Sequence, residues 1–306
     1  MKTSPLEKRM IAAFWRSLEA TYHKNDVVGA ERVIPGAHGG IRVLYYAPPR
    51  PRGPVPVFFD LHGGGFIAGR PEMDDAFCDR LRRALNIAVI GVDYPLAPEK
   101  PYPADKEDVY DAVRYVFHHP EEFGADAANF SIGGHSAGGN IATVVCMMAK
   151  ERGEFSFCCQ ILDYPPCDLK ISPYDKPCPK GAMPAGLTEL FRKCYSTPEQ
   201  AGDAHVSPLY ATARQLEGLP PALVIAAGRD SLREEDEKYA ARLRAAGVPA
   251  EFRCFEASRH GFTIGSAAPD ALEAQALMAR TIANYAGIEY GAPQAGYFSA
   301  GPGQTG

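Results

Sequence analysis

The sequence predicts an α/β fold in which a mostly parallel central sheet is covered by helices on both faces. Short runs that are largely apolar, rather than apolar at every second position, are typical of strands buried on both sides. Such runs occupy residues 57–61, 87–92 and 129–133, and segments with helical spacing at 76–85 and 105–118 separate them. This alternation indicates parallel strands that are joined by helical crossovers.

The same alternation returns in the C-terminal part of the chain. Strand patterns at 222–227 and 250–255 are followed by helical patterns at 232–246 and 271–286. The stretch from Asp163 to Leu219 breaks the alternation, because it is rich in proline and glycine and has no strand pattern. A compact domain rarely contains so long a connection without a function for it. We therefore predict an inserted cap in this stretch.

Both ends of the chain differ from the central α/β pattern. Residues 5–22 predict an amphipathic helix, with a buried stripe made by Leu6, Met10, Phe14 and Leu18. We expect residues from 1 to about 35 to complete the cap together with the inserted residues 165–215, over one domain that spans 1–287. Residues 288–306 are rich in glycine and offer little to bury. They predict a disordered tail.

Composition excludes two classes of partner. The net charge of -5 leaves no basic surface for a nucleic acid backbone. No apolar run approaches the roughly 18–20 residues that cross a bilayer. The first twenty residues carry charges among the apolar positions and do not resemble a signal peptide. We therefore expect a cytoplasmic protein that binds neither nucleic acid nor membrane. Nothing in the sequence decides its oligomeric state, and a homo-oligomer is compatible with it.

The eight cysteines do not form a recognisable metal or redox motif. None of them shows C-x-x-C spacing or metal-ligand spacing with histidine. A chain of 306 residues can build its own core without a disulfide framework. We expect reduced thiols, no metal and no cofactor; a disulfide between Cys167 and Cys178 is the alternative in this loop-rich stretch.

The segment Gly134–Gly138 reads Gly-His-Ser-Ala-Gly and lies between the strand at 129–133 and a helical pattern at 141–150. So tight a turn strains the backbone of Ser136, and the two flanking glycines avoid a steric clash. The strain would hold the hydroxyl at the edge of the sheet, beside a helix N-terminus that favours negative charge. A plain turn between strand and helix is the alternative, and five residues alone are weak grounds for a catalytic serine.

A serine hydroxyl becomes a nucleophile when a base accepts its proton and an acid orients that base. Asp230 and His260 each follow a strand pattern, in the order serine, acid, histidine that this arrangement requires. Asp230 has an alternative role as a helix N-cap, and His260 as an ordinary loop residue. Asp163 also follows a strand and is the main rival for the acid. The catalytic interpretation would fail only if Asp230 were merely an N-cap and His260 merely a loop residue, both in a chain that also has the Ser136 turn.

The glycines Gly63, Gly64 and Gly65 follow His62 and the strand at 57–61. Glycines let backbone N–H groups approach a substrate without interference from a side chain. Two of these N–H groups, together with that of Ala137, would bind a developing oxyanion. A phosphate loop is the alternative, but the Lys-Ser/Thr pair and the G-x-G-x-x-G pattern of such loops are absent from the sequence.

Four motifs in this order resemble the hormone-sensitive-lipase-like branch of the α/β-hydrolase fold. They are His-Gly-Gly-Gly-Phe at 62–66, Asp-Tyr-Pro-Leu-Ala-Pro-Glu at 93–99, Gly-His-Ser-Ala-Gly-Gly-Asn at 134–140 and His-Gly-Phe at 260–262. The resemblance extends over residues from about 30 to 286. His135 stands where the family often has aspartate, and Ser231 stands where proline more often follows the acid.

The resemblance implies a carboxylic-ester hydrolase that acts on small-molecule esters without a cofactor. The implied roles are nucleophile for Ser136, base for His260, orienting acid for Asp230, oxyanion donors for Gly64, Gly65 and Ala137, and loop support for Gly63 and His62. A cap closed over the site would favour short acyl groups. An amidase or N-deacylase with the same triad is an alternative. So is a non-catalytic receptor on this scaffold, although the presence of His260 argues against it.

Overall fold

The computed structural model describes residues 4–19, 27–37 and 39–299 of the 306-residue chain. The strands are β1 (Ala30–Gly36), β2 (Gly39–Tyr46), β3 (Val55–Leu61), β4 (Ala88–Val92), β5 (Ala125–His135), β6 (Cys159–Asp163), β7 (Ala222–Arg229) and β8 (Ala250–Arg259). The helices are α1 (Pro5–Glu19), α2 (Asp75–Leu85), α3 (Ala104–His118), α4 (Pro120–Phe123), α5 (Ala137–Arg152), α6 (Ala185–Tyr195), α7 (Ala213–Leu216), α8 (Arg233–Ala245), α9 (Pro269–Tyr285) and α10 (Ala292–Ala295).

The strands form one eight-stranded sheet in the order β1-β2-β4-β3-β5-β6-β7-β8. β2 runs antiparallel to both of its neighbours, β1 and β4. The other neighbouring pairs are parallel, so the carboxyl ends of β3, β5, β6, β7 and β8 meet at one edge. The prediction of a mostly parallel sheet is confirmed.

Helices cover both faces of the sheet, as the apolar strand runs predict. Val57 and Phe59 of β3 pack in one core cluster with side chains of α3, α5 and α8. Phe58 points the other way and packs in a second cluster with side chains of α2 and α9. Adjacent residues of one strand therefore fill opposite cores, which is why β3 is apolar at nearly every position. No helix in the described ranges is long and apolar enough to cross a bilayer.

Helix α1 packs against α6 through the rings of Phe14 and Phe191, whose centroids are 4.9 Å apart. The indole of Trp15 also donates a hydrogen bond to the Ile67 carbonyl oxygen (3.1 Å). Leu6 is 67% exposed, so the buried stripe of α1 excludes the first of the residues predicted for it. Residues 20–22 of the predicted helix lie outside the described part of the chain.

The predicted cap boundary near residue 35 is wrong for the last residues it included. Residues 30–36 form β1, which pairs with β2 from Ala30 opposite Tyr45 to Gly36 opposite Gly39. Strand pairing satisfies the backbone groups of this segment, so it belongs to the sheet.

The predicted disordered tail is wrong for residues 288–299; residues 300–306 lie outside the described part. A short helix, α10, and a 3-10 turn at Gly296–Phe298 carry Phe298 into the core cluster of α2 and α9, where it is 4% exposed. The Tyr290 hydroxyl donates to the Ala276 carbonyl oxygen (3.3 Å). The buried ring of Phe298 and the contacts of Tyr290 thus dock a segment whose average composition is typical of disorder.

We expect Phe298→Ala to lower the free energy of unfolding by about 3 kcal/mol, since it empties a buried ring site. Tyr297→Ala is the matched control, because Tyr297 is 41% exposed and its truncation removes little buried surface. Thermal melts of both variants and the parent make the comparison. Equal melting temperatures for all three proteins would show that the tail contributes nothing to stability.

Candidate active site

Ser136 lies between β5 and α5 in a strained backbone conformation, with φ 53° and ψ −116°. The flanking glycines make this turn possible. A β-carbon added to Gly138 would lie 1.9 Å from the Leu61 carbonyl oxygen, and one added to Gly134 would lie 2.4 Å from the same atom. The N–H of Ser136 donates to the carbonyl oxygen of Asp163 (2.8 Å). The turn therefore holds the serine hydroxyl at the carboxyl edge of the sheet.

His260 lies in the turn that follows β8, and it contacts Ser136 and Asp230 with its two ring nitrogens. Its Nε2 is 2.8 Å from Ser136 Oγ, and its Nδ1 is 2.5 Å from Asp230 Oδ2. With the proton on Nδ1, the ring donates to Asp230 and accepts from the serine hydroxyl. The structure thus brings together the three residues that the sequence predicts as nucleophile, base and acid, from the ends of β5, β7 and β8.

Asp230 also has the capping role that was the alternative for it. Its Oδ1 accepts a hydrogen bond from the Leu232 N–H (3.3 Å), just before α8. The two oxygens of one carboxylate therefore serve two purposes, and the helix start fixes the orientation in which Oδ2 meets His260.

Opposing effects act on the pKa of His260. Burial disfavours the charged imidazolium, while the Asp230 carboxylate and its hydrogen bond favour it. The net effect raises the pKa above the usual value of 6.5. Asp230 therefore stabilises the cation that forms when His260 accepts a proton.

The glycine loop after β3 lies directly beside the serine. A β-carbon on Gly63 would be 3.7 Å from the Ser136 Cβ. The loop folds back on itself, since the Gly64 carbonyl oxygen accepts from the N–H groups of Ile67 and Ala68 (3.2 and 3.1 Å). Gly64 and Gly65 have φ of 133° and 61°, which favour glycine.

Space is a second reason for glycine in this loop. A β-carbon on Gly64 would lie 1.9 Å from the Ala68 carbonyl oxygen, and one on Gly65 would lie 2.4 Å from the ring of Phe191. Among the described residues, no carbonyl or side chain accepts from the N–H of Gly64, Gly65 or Ala137. These three donors remain available to a ligand.

His62 supports this loop, and its described hydrogen bonds and ring contacts do not include His260. Its Nδ1 is 2.8 Å from the Gly63 carbonyl oxygen, and its ring stacks on Tyr94 at 4.1 Å. The Tyr94 hydroxyl donates to the His62 carbonyl oxygen (2.7 Å). Tyr94 belongs to the motif at 93–99, so these contacts give that motif a structural role beside the loop.

A small cavity of about 50 Å³ opens at Ser136. Apolar side chains contributed by the insertion line much of it, namely Leu169, Ile171, Met183 and Phe191. Lys176 marks a polar side, where its ammonium group contacts the Glu235 carboxylate (2.5 Å). A larger open groove of about 830 Å³ touches Asp230 but neither Ser136 nor His260. The smaller cavity is therefore the candidate substrate site, because it reaches Ser136 and the larger groove does not.

Sequence reasoning missed two residues that support the histidine. The ring of Tyr164 lies against that of His260, with centroids 4.7 Å apart. The hydroxyls of Tyr164 and Thr263 are hydrogen-bonded, and Thr263 donates to Asp163 Oδ2 (2.5 Å). The sequence signal for Tyr164 was its position directly after a buried strand. No sequence pattern indicated that it would contact His260 and Thr263.

The rival acid, Asp163, faces a different histidine. Its Oδ2 lies 2.6 Å from Nδ1 of His135, and both side chains are buried. It has no contact with His260 among its described hydrogen bonds, so the geometry favours Asp230 as the acid. Two clusters in the described residues have the donors for a metal ion: buried Asp60, Asp74 and His135, and the more exposed His119, Glu121 and Glu122. Sequence spacing indicated neither.

All eight cysteines are free thiols in the structure. Cys167 is buried, whereas Cys178 is exposed. Burial raises the pKa of the Cys167 thiol well above its usual value, so this side chain behaves as a small apolar group.

Comparison with known proteins gives consistent results. Residues 58–264 match the family model described as the alpha/beta hydrolase fold. The carboxylic ester hydrolase LipN of Mycobacterium tuberculosis is 36% identical over 75% of this chain and 62% of its own length. The esterase LipI of the same organism is 35% identical over 75% of this chain and 73% of its own length. The chain thus spans less than two thirds of the first of these relatives.

Solved structures give the same result at the level of the fold. A hyperthermophilic esterase from the archaeon Pyrobaculum calidifontis superposes with a TM-score of 0.80 at 33% identity, covering 94% of this chain and 99% of that one. An α/β-hydrolase enzyme from the metagenome of Lake Arreo gives a TM-score of 0.83 at 32% identity, with 93% of each chain covered. This chain belongs to the α/β-hydrolase fold family, in the hormone-sensitive-lipase-like branch that its four motifs indicated.

Proposed function

We propose that this protein is a serine esterase that cleaves carboxylic esters of short acyl chains through an acyl-enzyme intermediate. The observation that carries the proposal is the pair of contacts made by His260, 2.8 Å to Ser136 Oγ and 2.5 Å to Asp230 Oδ2. The names of the relatives, a carboxylic ester hydrolase and esterases, support the same reaction class.

Acylation begins when the Ser136 oxygen attacks the ester carbonyl carbon. His260 Nε2 accepts the hydroxyl proton as the new bond forms, and Asp230 stabilises the resulting imidazolium. The imidazolium then gives its proton to the alcohol oxygen, which leaves as the tetrahedral intermediate collapses. Ser136 is left as an ester of the acyl group.

The oxyanion of this intermediate would bind the N–H groups of Gly64, Gly65 and Ala137. Ala137 begins α5, so the positive end of the helix dipole points toward the same place. Donors fixed before the reaction stabilise charge where it develops, and losing one such donor typically costs on the order of 10²–10³ in turnover.

Deacylation repeats these steps with water as the nucleophile. His260, neutral again once the alcohol has left, accepts a proton from the water that attacks the acyl carbon. The second tetrahedral intermediate uses the same three N–H donors. Its collapse returns the proton to Ser136 and releases the carboxylic acid.

We further propose that α1 and residues 165–215 act as a cap over this site. The contact between Phe14 and Phe191 joins the two segments, and Phe191 also closes over Gly65. The cavity of about 50 Å³ at Ser136 is far smaller than the roughly 300 Å³ or more that drug-sized ligands occupy. Such a closed site accepts a short acyl group and excludes a long one.

Turnover of p-nitrophenyl esters of increasing acyl length tests this proposal. We expect kcat/KM to be highest for acetate to butyrate and to fall by more than about 10²-fold by palmitate, because each surplus methylene must displace packed side chains. Butyryl p-nitroanilide in the same assay tests the amidase alternative. Comparable values for butyrate and palmitate esters would overturn the closed cap, and preferred cleavage of the anilide would overturn the esterase assignment.

The pH profile tests the role of His260 as a base. A base must be neutral to accept the serine proton, and the pKa of His260 is raised above 6.5. Activity should therefore be present at higher pH and fall as pH decreases through that raised pKa. We expect the acid limb of kcat/KM against pH to have its midpoint above 6.5. A limb centred near pH 4 would instead indicate that a carboxylate controls the reaction.

We also propose a reducing, cytoplasmic setting for the protein. The support is the state of its eight cysteines, all free thiols, of which Cys78, Cys146, Cys159, Cys167 and Cys194 are buried. Free thiols in this number are typical of proteins from reducing compartments.

A further inference from the structure

A second cluster of polar side chains lies beneath the serine turn and plays no part in the proposed mechanism. Asp60 belongs to β3, Asp74 precedes α2, and His135 is the last residue of β5, next to Ser136. One donor atom from each of the three lies within 4.8 Å of the other two, and all three residues are buried. Three separate elements thus bring their polar groups to one point in the core.

The carboxylates of this cluster lack the strong hydrogen-bond donors that a buried carboxylate needs. Asp60 and Asp74 are 1% and 2% exposed, and no nitrogen or oxygen donor is hydrogen-bonded to any of their four oxygens within the described part of the chain. The thiol of Cys78, a weak donor, lies beside Asp60. An unpartnered buried carboxylate is strongly destabilising. Native proteins retain such groups when a ligand, an ion or a function compensates for them.

The orientation of His135 leaves a nitrogen facing these oxygens. Its Nδ1 is 2.6 Å from Asp163 Oδ2, so the ring donates its proton there. The opposite nitrogen, Nε2, lies 3.7 Å from Asp74 Oδ1. That distance is too long for a hydrogen bond and close to the roughly 3.3 Å between two ligands of a tetrahedral zinc ion. Imidazoles that bind metals usually donate their other N–H to a carboxylate in this way.

The charges of the cluster also favour a cation. Two carboxylates meet here, and His135 is the one basic side chain among the three residues of the cluster. With its Nδ1 proton directed at Asp163, a neutral His135 leaves the carboxylates of Asp60 and Asp74 without a compensating positive charge.

We propose that Asp60, Asp74 and His135 bind a divalent transition-metal ion of the zinc class. A set of two carboxylates and one imidazole suits zinc better than calcium or magnesium, which prefer oxygen ligands alone. Asp163 orients the imidazole from the far side. The ion would join β3, the start of α2 and the end of β5 beneath Ser136, with a structural role that does not depend on the esterase proposal.

Metal analysis of the purified full-length protein is the first test. We expect about one equivalent of zinc per chain after expression with added zinc and extensive dialysis. His119→Ala serves as a control, because the more exposed His119, Glu121 and Glu122 also offer donors. That variant should keep the equivalent of zinc. Less than about 0.1 equivalent in the parent protein, with no change of melting temperature on adding zinc, manganese or calcium, would overturn the proposal.

Matched substitutions of buried carboxylates give the second test. Asp236 is also fully buried with both oxygens unpartnered, but it is not part of this cluster. Asp60→Asn should lose the zinc and lower the melting temperature by several degrees, whereas Asp236→Asn should keep the zinc. The sign of the first effect is decisive. In a cluster without metal, Asp60→Asn removes an unpaired buried charge, and an unchanged or higher melting temperature would refute the site. If Asp60→Asn does not fold, a zinc-dependent melting temperature of the parent protein decides.

Discussion

Replacement of Ser136 by alanine is expected to lower kcat for p-nitrophenyl butyrate by about 10⁶-fold, the scale seen when a serine hydrolase loses its nucleophile. In the proposed mechanism the hydroxyl forms the acyl-enzyme, and the methyl group of alanine cannot replace it. Residual hydrolysis would come from the oxyanion donors and from substrate binding. The comparison uses turnover of purified protein, with circular dichroism and a thermal melt to show that the fold is intact.

Ser131→Ala is the matched control for this experiment. Ser131 is a buried serine of β5, the strand that leads to Ser136, and its hydroxyl donates to the Val57 carbonyl oxygen (3.2 Å), away from His260. Its loss should affect stability modestly and leave turnover near that of the parent. A folded Ser136→Ala protein with activity like that of the Ser131→Ala protein would refute the serine mechanism.

The sheet could be predicted from the sequence because its central parallel strands are buried on both faces. The residues at 57–61 and 87–92 are largely apolar for that reason, and the structure places them in β3 and β4. Strand β1 was harder to assign, and its residues were predicted to belong to the cap rather than to the sheet. Val33 is 66% exposed and Ile34 is buried, so β1 shows the weaker pattern of a strand at the edge of the sheet.

The positions of the candidate catalytic groups could be predicted for a related reason. Ser136, Asp230 and His260 each follow a strand, and the carboxyl ends of parallel strands meet at one edge of the sheet. Local sequence therefore determines which edge a residue reaches. It does not determine the distances between side chains, which is why Tyr164 and Thr263 were not found.

The polar cluster of Asp60, Asp74 and His135 could not be predicted, because its three residues do not share a position that local sequence reveals. Asp60 lies within an apolar strand, and Asp74 lies in a turn with no sequence relation to His135. Their meeting depends on the packing of α2 against the sheet, which no local pattern encodes. The docking of Phe298 is a similar case, since a single aromatic residue finds its site through tertiary packing.

Replacement of Asp230 by asparagine is expected to lower kcat by about 10⁴-fold, by analogy with serine proteases, while the geometry of the site is preserved. The amide of asparagine would donate to His260 Nδ1, so the ring would carry its proton on Nε2. That nitrogen could then no longer accept the proton of Ser136. The imidazolium would also lose the carboxylate that stabilises it, and the raised pKa of His260 should fall with it.

Asp163→Asn separates this effect from the general cost of removing a buried charge. Asp163 is as buried as Asp230, but its carboxylate contacts His135 and Thr263 rather than His260. Its replacement should therefore cost much less turnover, through a small displacement of the Ser136 turn. Both variants are compared by kcat and by the acid limb of the pH profile. That limb should move to lower pH further for Asp230→Asn than for Asp163→Asn, because Asp230 raises the pKa of His260 more than the charge of Asp163 does. A larger loss of kcat for Asp163→Asn than for Asp230→Asn would mean that the catalytic acid is Asp163.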